Sequence, residues 1–290
     1  MAAMISLQGM YDLHVHASPS IARRKLTALE ALKFASNEGM EGILLLDHSY
    51  NTVVVAQVLN ELGYGTNVFG SILLNESVGG LNPSVVETAI QLGTKQIQMP
   101  TYSAKNHKEK FSSGDDQRIF PYSKKSKRVY ILDDRDRLIS EVDEILQLLK
   151  GSESFLGTGH LSVAEIEALV NRAKELNVRV LVNGASSSRI GLPIEIQKKL
   201  AHDNVFMEYD YVLLTENVHK KRAVESIVRQ IRAVGAERCV IATDAGQPNI
   251  PDLVEGLKDF IKQLLQSGIS EKEIEFMTRK NPRSLLGIHN

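Results

Sequence analysis

Eight times along this 290-residue chain a short apolar run of strand type gives way to a stretch with helical spacing, and that rhythm limits the fold more than any other feature. The first run is Tyr11-Asp12-Leu13-His14-Val15-His16. The helix after it, over 26–38, carries Leu29, Leu32 and Ala35, with Thr27 placed to cap its start and Gly39 to end it. Residues 42–48 (GILLLDH) read as a buried parallel strand and 52–62 as helix. Strand 66–76, a loop over 77–83, helix 84–92 and strand 95–101 follow. After an interruption come helix 141–149, strand 155–161, helix 163–175 opened by a Ser162/Glu165 capping box, strand 179–185 and helix 193–202. Strand 205–214, helix 217–234, strand 239–244 and helix 252–265 complete the series.

Eight such units within about 250 residues is the size of a (β/α)8 barrel. The expectation is one α/β domain over 1–290, a TIM barrel, closed by a helical tail over 270–290 with its last helix at 271–278. A doubly wound open sheet is the alternative. The two differ in a checkable way, because a barrel gathers functional polar residues at the C-terminal ends of many strands.

The rhythm breaks once, after strand four, in an insertion over 104–139. Residues 104–128 hold eight Lys and Arg against three Asp and Glu, with no apolar period, and are expected to form a functional loop beside the mouth of the barrel. Residues 129–132 and 137–139 can close it as a short hairpin.

The formal charge of -1 and the near-neutral pI give no reason to expect nucleic acid or an anionic membrane as partner. A single cysteine, Cys239, excludes an internal disulfide, and no run approaches the roughly 18 apolar residues of a membrane span. A cytoplasmic protein acting on a small molecule is expected, with homo-oligomerisation left open.

The strand ends carry the chemistry: His14 and His16, His48, Asn75 and Glu76, Thr101, His160, Asn183, Glu208 or Asp210, and Asp244. In a strand, i and i+2 share a face, so His14 and His16 point together, and paired imidazoles suit an ion such as zinc. A His-x-His occurs by chance with an expectation of about 0.2 in a chain of this histidine content, so the pair alone is weak evidence. Gly157-Thr158-Gly159 lacks the third glycine of a dinucleotide fingerprint, and Ser186-Ser187-Ser188 has no adjacent histidine to activate it.

Taken with His160 and Asp244, the first-strand pair resembles the amidohydrolase superfamily of metal-dependent hydrolases. The phrases DLHVHASPS, LNESVGGLNP, MPT, GTGHLSVAE and ATDAGQPN are similar to one uncharacterised branch of it, and Asn281 to Gly287 is similar to its closing segment. The resemblance implies that His14, His16, His160 and Asp244 hold a divalent metal, zinc first with Mn, Fe or Ni as alternatives. Two-metal members place a Lys or Glu at the end of strand four and a His at the end of strand six. This chain has Met99-Pro100-Thr101 and Val182-Asn183-Gly184 there, so one ion is expected.

The expected reaction is attack of metal-activated water on a C–N or C–O bond of a small polar substrate, with Asp244 as ligand and proton acceptor. His48 and Asn183 are the other catalytic candidates. Arg23 and Arg24 are candidates to clamp an anionic group, and Glu76, Thr101 and His107 to contact substrate. A multinuclear phosphoesterase and a non-catalytic binding protein on a decayed hydrolase scaffold are the competing functions.

Overall fold

The computed structural model describes residues 5–110, 127–216 and 220–288. Its eight strands are β1 (Tyr11–Val15), β2 (Gly42–Leu45), β3 (Asn67–Leu73), β4 (Gln96–Gln98), β5 (Phe155–Gly157), β6 (Val180–Val182), β7 (Val205–Asp210) and β8 (Cys239–Ala242). They pair in parallel in sequence order. A parallel bridge from Val15 to Ala245 joins the last strand back to the first. The sheet is the expected barrel, not an open one.

Helices α1 (Ala28–Asn37), α2 (Val53–Asn60), α3 (Pro83–Gln91), α4 (Lys105–Lys110), α5 (Ser140–Leu149), α6 (Val163–Glu175) and α7 (Ile194–Leu200) cover the first six strands. They are followed by α8 (Val212–Glu216), α9 (Lys220–Val234), α10 (Leu253–Gln266), α11 (Glu271–Glu275) and α12 (Asn281–Leu286). The capping boxes of Thr27 with Glu30 and Ser162 with Glu165 form as the sequence indicates. No helix among the described residues is long and apolar enough to cross a membrane.

Two apolar clusters result. One fills the layer between strands and helices, and the other draws on seven strands, with Tyr11, Leu13, Leu44, Leu73, Phe155, Leu181, Phe206 and Val240, which identifies it as the barrel interior. Leu285 and Leu286 of α12 belong to that interior cluster and plug the barrel at the end away from the strand-end polar groups. The simple two-face alternation of the first strand does not hold throughout. Register against β2 shifts between Asp12 and Val15, so that Leu13 joins the interior cluster and Val15 the surrounding one.

Two element readings need correction. Strand seven ends at Asp210 rather than 214, because 212–216 turns into helix. The insertion does not begin as structureless loop. Lys105–Lys110 is helical, and its buried face is His107, a polar residue that no apolar periodicity reveals. The tail is helical through Leu286, as expected, and is fastened by Asn281, whose amide donates to the carbonyls of Ala236 and Cys239 at 2.8 and 2.6 Å. The hairpin that closes the insertion is present as an antiparallel bridge from Leu132 to Leu138. The stretch 111–126, the middle of the basic loop, lies outside the described residues.

Candidate metal centre

Asp12 organises the floor of the site. Its carboxylate, fully buried, accepts from the backbone N–H groups of His14 and Thr243 at 3.2 and 3.1 Å and from the Thr243 hydroxyl at 2.5 Å. One side chain thereby ties β1 to the end of β8, and burial pushes its pKa up to about 6. The residue after Thr243, Asp244, has φ +49°, a left-handed backbone that few non-glycine residues adopt and that clusters at functional sites. Two residues further on, Gly246 is obligatory: a Cβ there would lie 2.4 Å from the His16 carbonyl oxygen and 2.5 Å from the His16 Cβ. Close approach of this loop to β1 is what sets Asp244 against the histidines.

His14 Nε2 and His16 Nε2 converge on the same oxygen of Asp244, at 3.5 and 3.3 Å. Charge-assisted hydrogen bonds are shorter, about 2.7 to 2.9 Å. Two donors each about 2.0 to 2.1 Å from a tetrahedral ion stand about 3.3 Å apart, which is the spacing seen.

The tautomers agree. His16 Nδ1 is 2.9 Å from the Leu46 carbonyl, which can only accept, so Nδ1 carries the proton and Nε2 presents a lone pair to a carboxylate. The Arg24 guanidinium, 3.4 Å from the same Nδ1, is the weaker contact. His14 Nδ1 lies 3.0 Å from Glu208 Oε1 and is oriented by it, leaving Nε2 toward Asp244. Lone pairs facing a carboxylate require a positive charge between them, and a divalent ion fits that requirement.

The electrostatics call for positive charge at the same place, which a second proton on His14 supplies until an ion takes its place. Burial opposes charge on His14, yet the carboxylates of Asp244, Glu208 and Asp210 outweigh it and raise its pKa well above the usual value. Burial likewise opposes charge on Asp244, but His14 and His16 hold its pKa far below the carboxylate range. Burial, followed by Arg24, lowers His16; burial, followed by His16, lowers His48; burial, followed by His107, lowers His160. Asp210 is raised well above its usual value by burial and by Glu208. Asp210 Oδ1 and Glu208 Oε2 are buried without a hydrogen-bond partner among the described residues, as expected of oxygens facing a polar occupant.

The remaining candidates divide between those in the cleft and those outside it. His14, His16, His48, Thr101, His160, Asn183, Asp244 and Arg24 all line one cleft. His48 donates to or accepts from Thr101 Oγ1 at 2.9 Å and stacks on His16 with ring centroids 4.8 Å apart. Thr101 also receives the Asn75 amide at 2.8 Å, so it braces His48.

His160 faces the cleft but stands outside the group formed by His14, His16 and Asp244. It stacks on His107, 4.8 Å between centroids, and their Nδ1 atoms are 2.9 Å apart. His107 therefore reaches the site from the insertion, behind His160. Gly159 allows this turn, since a Cβ would meet the Met99 carbonyl oxygen at 2.3 Å. Asn183 has both ends of its amide engaged: Nδ2 donates to Glu208 Oε1 at 3.0 Å and Oδ1 accepts from the Gly159 N–H at 3.2 Å.

Arg23 and Glu76 do not line the cleft. Arg23 is exposed. Glu76 opens a 3-10 turn that carries its carboxylate outward, where it accepts from the Lys127 N–H at 2.7 Å. Three contributors gained no role from sequence: Glu208 on His14, Tyr102 edge-on to His48, His107 and His160, and Arg189 on the rim. For Glu208 a signal existed, since Glu208-x-Asp210 at the end of β7 repeats the spacing of His14-x-His16.

A sequence profile described as a family of unknown function, DUF6282, matches residues 9–208. The chain belongs to that family. No curated protein matches it. Among solved structures it is similar to an amidohydrolase from Pseudomonas aeruginosa, with TM-score 0.67 at 12% identity over 96% of this chain and 95% of that one. It is also similar to the inactive dihydroorotase-like domain of a Chaetomium thermophilum CAD-like multifunctional protein, TM-score 0.63 at 11% identity over 99% and 81%. A lactonase from Listeria monocytogenes gives TM-score 0.60 at 13% identity over 98% and 96%. At the level of the fold the expected resemblance to the amidohydrolase superfamily is borne out.

Proposed function

We propose that this chain is a metal-dependent hydrolase of amidohydrolase type, acting on a C–N or C–O bond of a small polar substrate. One divalent ion, zinc first, is held by His14, His16 and Asp244, with His160 as a further donor from across the cleft. The observation that carries the reading is the convergence of two imidazole Nε2 atoms on one Asp244 oxygen at 3.5 and 3.3 Å. Bound there, such an ion supplies Lewis acidity and brings the pKa of water toward about 7.

The chain's own residues supply the rest. Asp244, kept ionised by its histidine neighbours, is the anionic donor to the ion and the proposed proton acceptor. His48, kept neutral by burial and tied through Nδ1 to Thr101, is the candidate to relay a proton. Glu208 and Asn183 fix the tautomer of His14. Single, buried and inert by its raised pKa, Cys239 suits a reducing, cytoplasmic setting.

A second grouping, His14 with Glu208 and Asp210, is what a multinuclear phosphoesterase would use. Its 3.0 Å contact between His14 Nδ1 and Glu208 is a hydrogen-bond length, shorter than the about 3.3 Å between two ligands of one ion, which favours the mononuclear reading. Metal analysis of protein purified without added metal tests it. About one equivalent is expected; two or three would favour the phosphoesterase, and none the binding protein.

A further inference from the structure

Arg24 and Arg189 enter the cleft from different loops, one after β1 and the other after β6, three strands apart round the barrel. Both are half-buried. Arg24 is held against the site by its Nε donating to Ser20 Oγ at 3.3 Å and by its contact with the His16 ring. The Arg189 backbone is braced on both sides: its N–H donates to Ser187 Oγ at 3.2 Å, and its carbonyl accepts from Asn106 Nδ2 at 3.3 Å and Lys110 Nζ at 2.8 Å. The first helix of the insertion thus props up the loop that presents this guanidinium.

Around these two cations the wall carries Asp210 and Asp244 with Glu208 beneath, a set that repels an incoming anion. Both guanidinium charges are felt by the residues proposed to hold the metal, Arg24 by His16 and Arg189 by Asp244 and His160. We infer that the cleft binds its substrate through an oxyanion gripped jointly by Arg24 and Arg189, so that the scissile bond and an acidic group of the substrate lie within one small molecule. The inference rests on the hydrolase reading and adds the substrate's class. It replaces the adjacent pair Arg23 and Arg24 with two arginines far apart in sequence. Planar guanidinium forks match carboxylate and phosphate oxygens two at a time, which a lysine cannot do.

Calorimetric titration of malonate and of inorganic phosphate into the protein as purified, and again after chelator treatment, tests the pair. At least one anion is expected to bind in both preparations. Arg24→Gln and Arg189→Gln should each weaken it by about tenfold or more, and Arg24→Lys and Arg189→Lys by nearly as much, while Arg23→Gln leaves it unchanged. The lysine variants keep the test decisive where a glutamine variant fails to fold. Tighter binding of malonate identifies a carboxylate as the anchored group, and tighter binding of phosphate a phosphoryl group.

The inference is overturned if neither anion binds, or if the arginine variants bind as the parent does. It is overturned too if binding disappears on chelation, which would place the anion on the metal, or if the arginine variants lose metal but keep the anion. Protein that contains no metal as purified, yet loses anion affinity in both arginine variants, would refute the hydrolase reading and sustain the arginine pair.

Discussion

Glu208 offers the sharpest test of how the site is held. Fully buried at the end of β7, it receives His14 Nδ1 and Asn183 Nδ2, each at 3.0 Å, on one carboxylate oxygen, and the other oxygen makes no hydrogen bond among the described residues. Its bond to His14 is charge-assisted and keeps the proton on Nδ1, so that Nε2 remains a lone pair for the ion. A charge-assisted bond contributes about 1.5 to 3 kcal/mol and a neutral one about half of that. Glu208→Gln keeps the shape and an acceptor oxygen but loses the charge, a loss of about 1 to 1.5 kcal/mol, or about tenfold in metal affinity. Glu208→Ala loses the bond and its orienting force, and about a hundredfold is expected, the upper end for groups that orient metal-bound histidines.

The assay is competition for zinc against a chromophoric chelator, with far-UV circular dichroism to confirm that both variants fold. A graded loss, alanine worse than glutamine, follows from the argument. Wild-type zinc affinity in both folded variants would refute it, since His14 would then owe neither its tautomer nor its orientation to Glu208.

Asp244→Asn should abolish hydrolysis and leave less than one equivalent of metal by elemental analysis, because it removes the anionic ligand and the proton acceptor together. Asn183→Ala should still take up one equivalent of metal, though more weakly, while losing turnover and about 1 to 3 kcal/mol of stability by denaturant unfolding, since it strands the Gly159 N–H and removes one of the two donors to Glu208. Gly246→Ala should lower the melting temperature, with a cost of about 2 kcal/mol or more from its φ of +151° and its collision with the His16 backbone. A Gly246→Ala variant as stable as its parent would mean that the loop after β8 can be repositioned freely.

The barrel was legible because its strands are apolar runs bounded by caps and turns, and Thr27, Ser162 and Gly39 act locally, where sequence speaks plainly. The meeting of His14, His16 and Asp244 was expected from the resemblance, while His160, expected with them, stands outside their group. What escaped was decided by contacts across the barrel. Helix α4 buries a histidine instead of an apolar stripe. Glu76 was assigned to the cleft by its place after β3, but a single 3-10 turn carried it out to the insertion. Arg189 sits in a serine-rich loop with nothing nearby in sequence to mark it, and its position depends on Asn106 and Lys110, some eighty residues away.

The same reasoning shows why β7 matters as much as β1. A strand that ends His-x-His can present two lone pairs only if something else holds the protons on the far nitrogens. For His16 that partner is a carbonyl at the end of β2, present in any barrel of this register. For His14 it must be a side chain, and a neutral one would compete poorly with Asp244 for the ring's single proton. A buried carboxylate opposite, itself steadied by an amide, solves this, and Glu208 with Asn183 is that arrangement. It follows that the asparagine on β6, where a two-metal relative would carry a ligand, serves here to hold the carboxylate that holds the ligand. Replacing Asn183 with histidine would therefore be expected to cost His14 its tautomer before it gained a second ion, and zinc affinity should fall. A rise to two tightly bound equivalents in that variant would show the reasoning to be wrong.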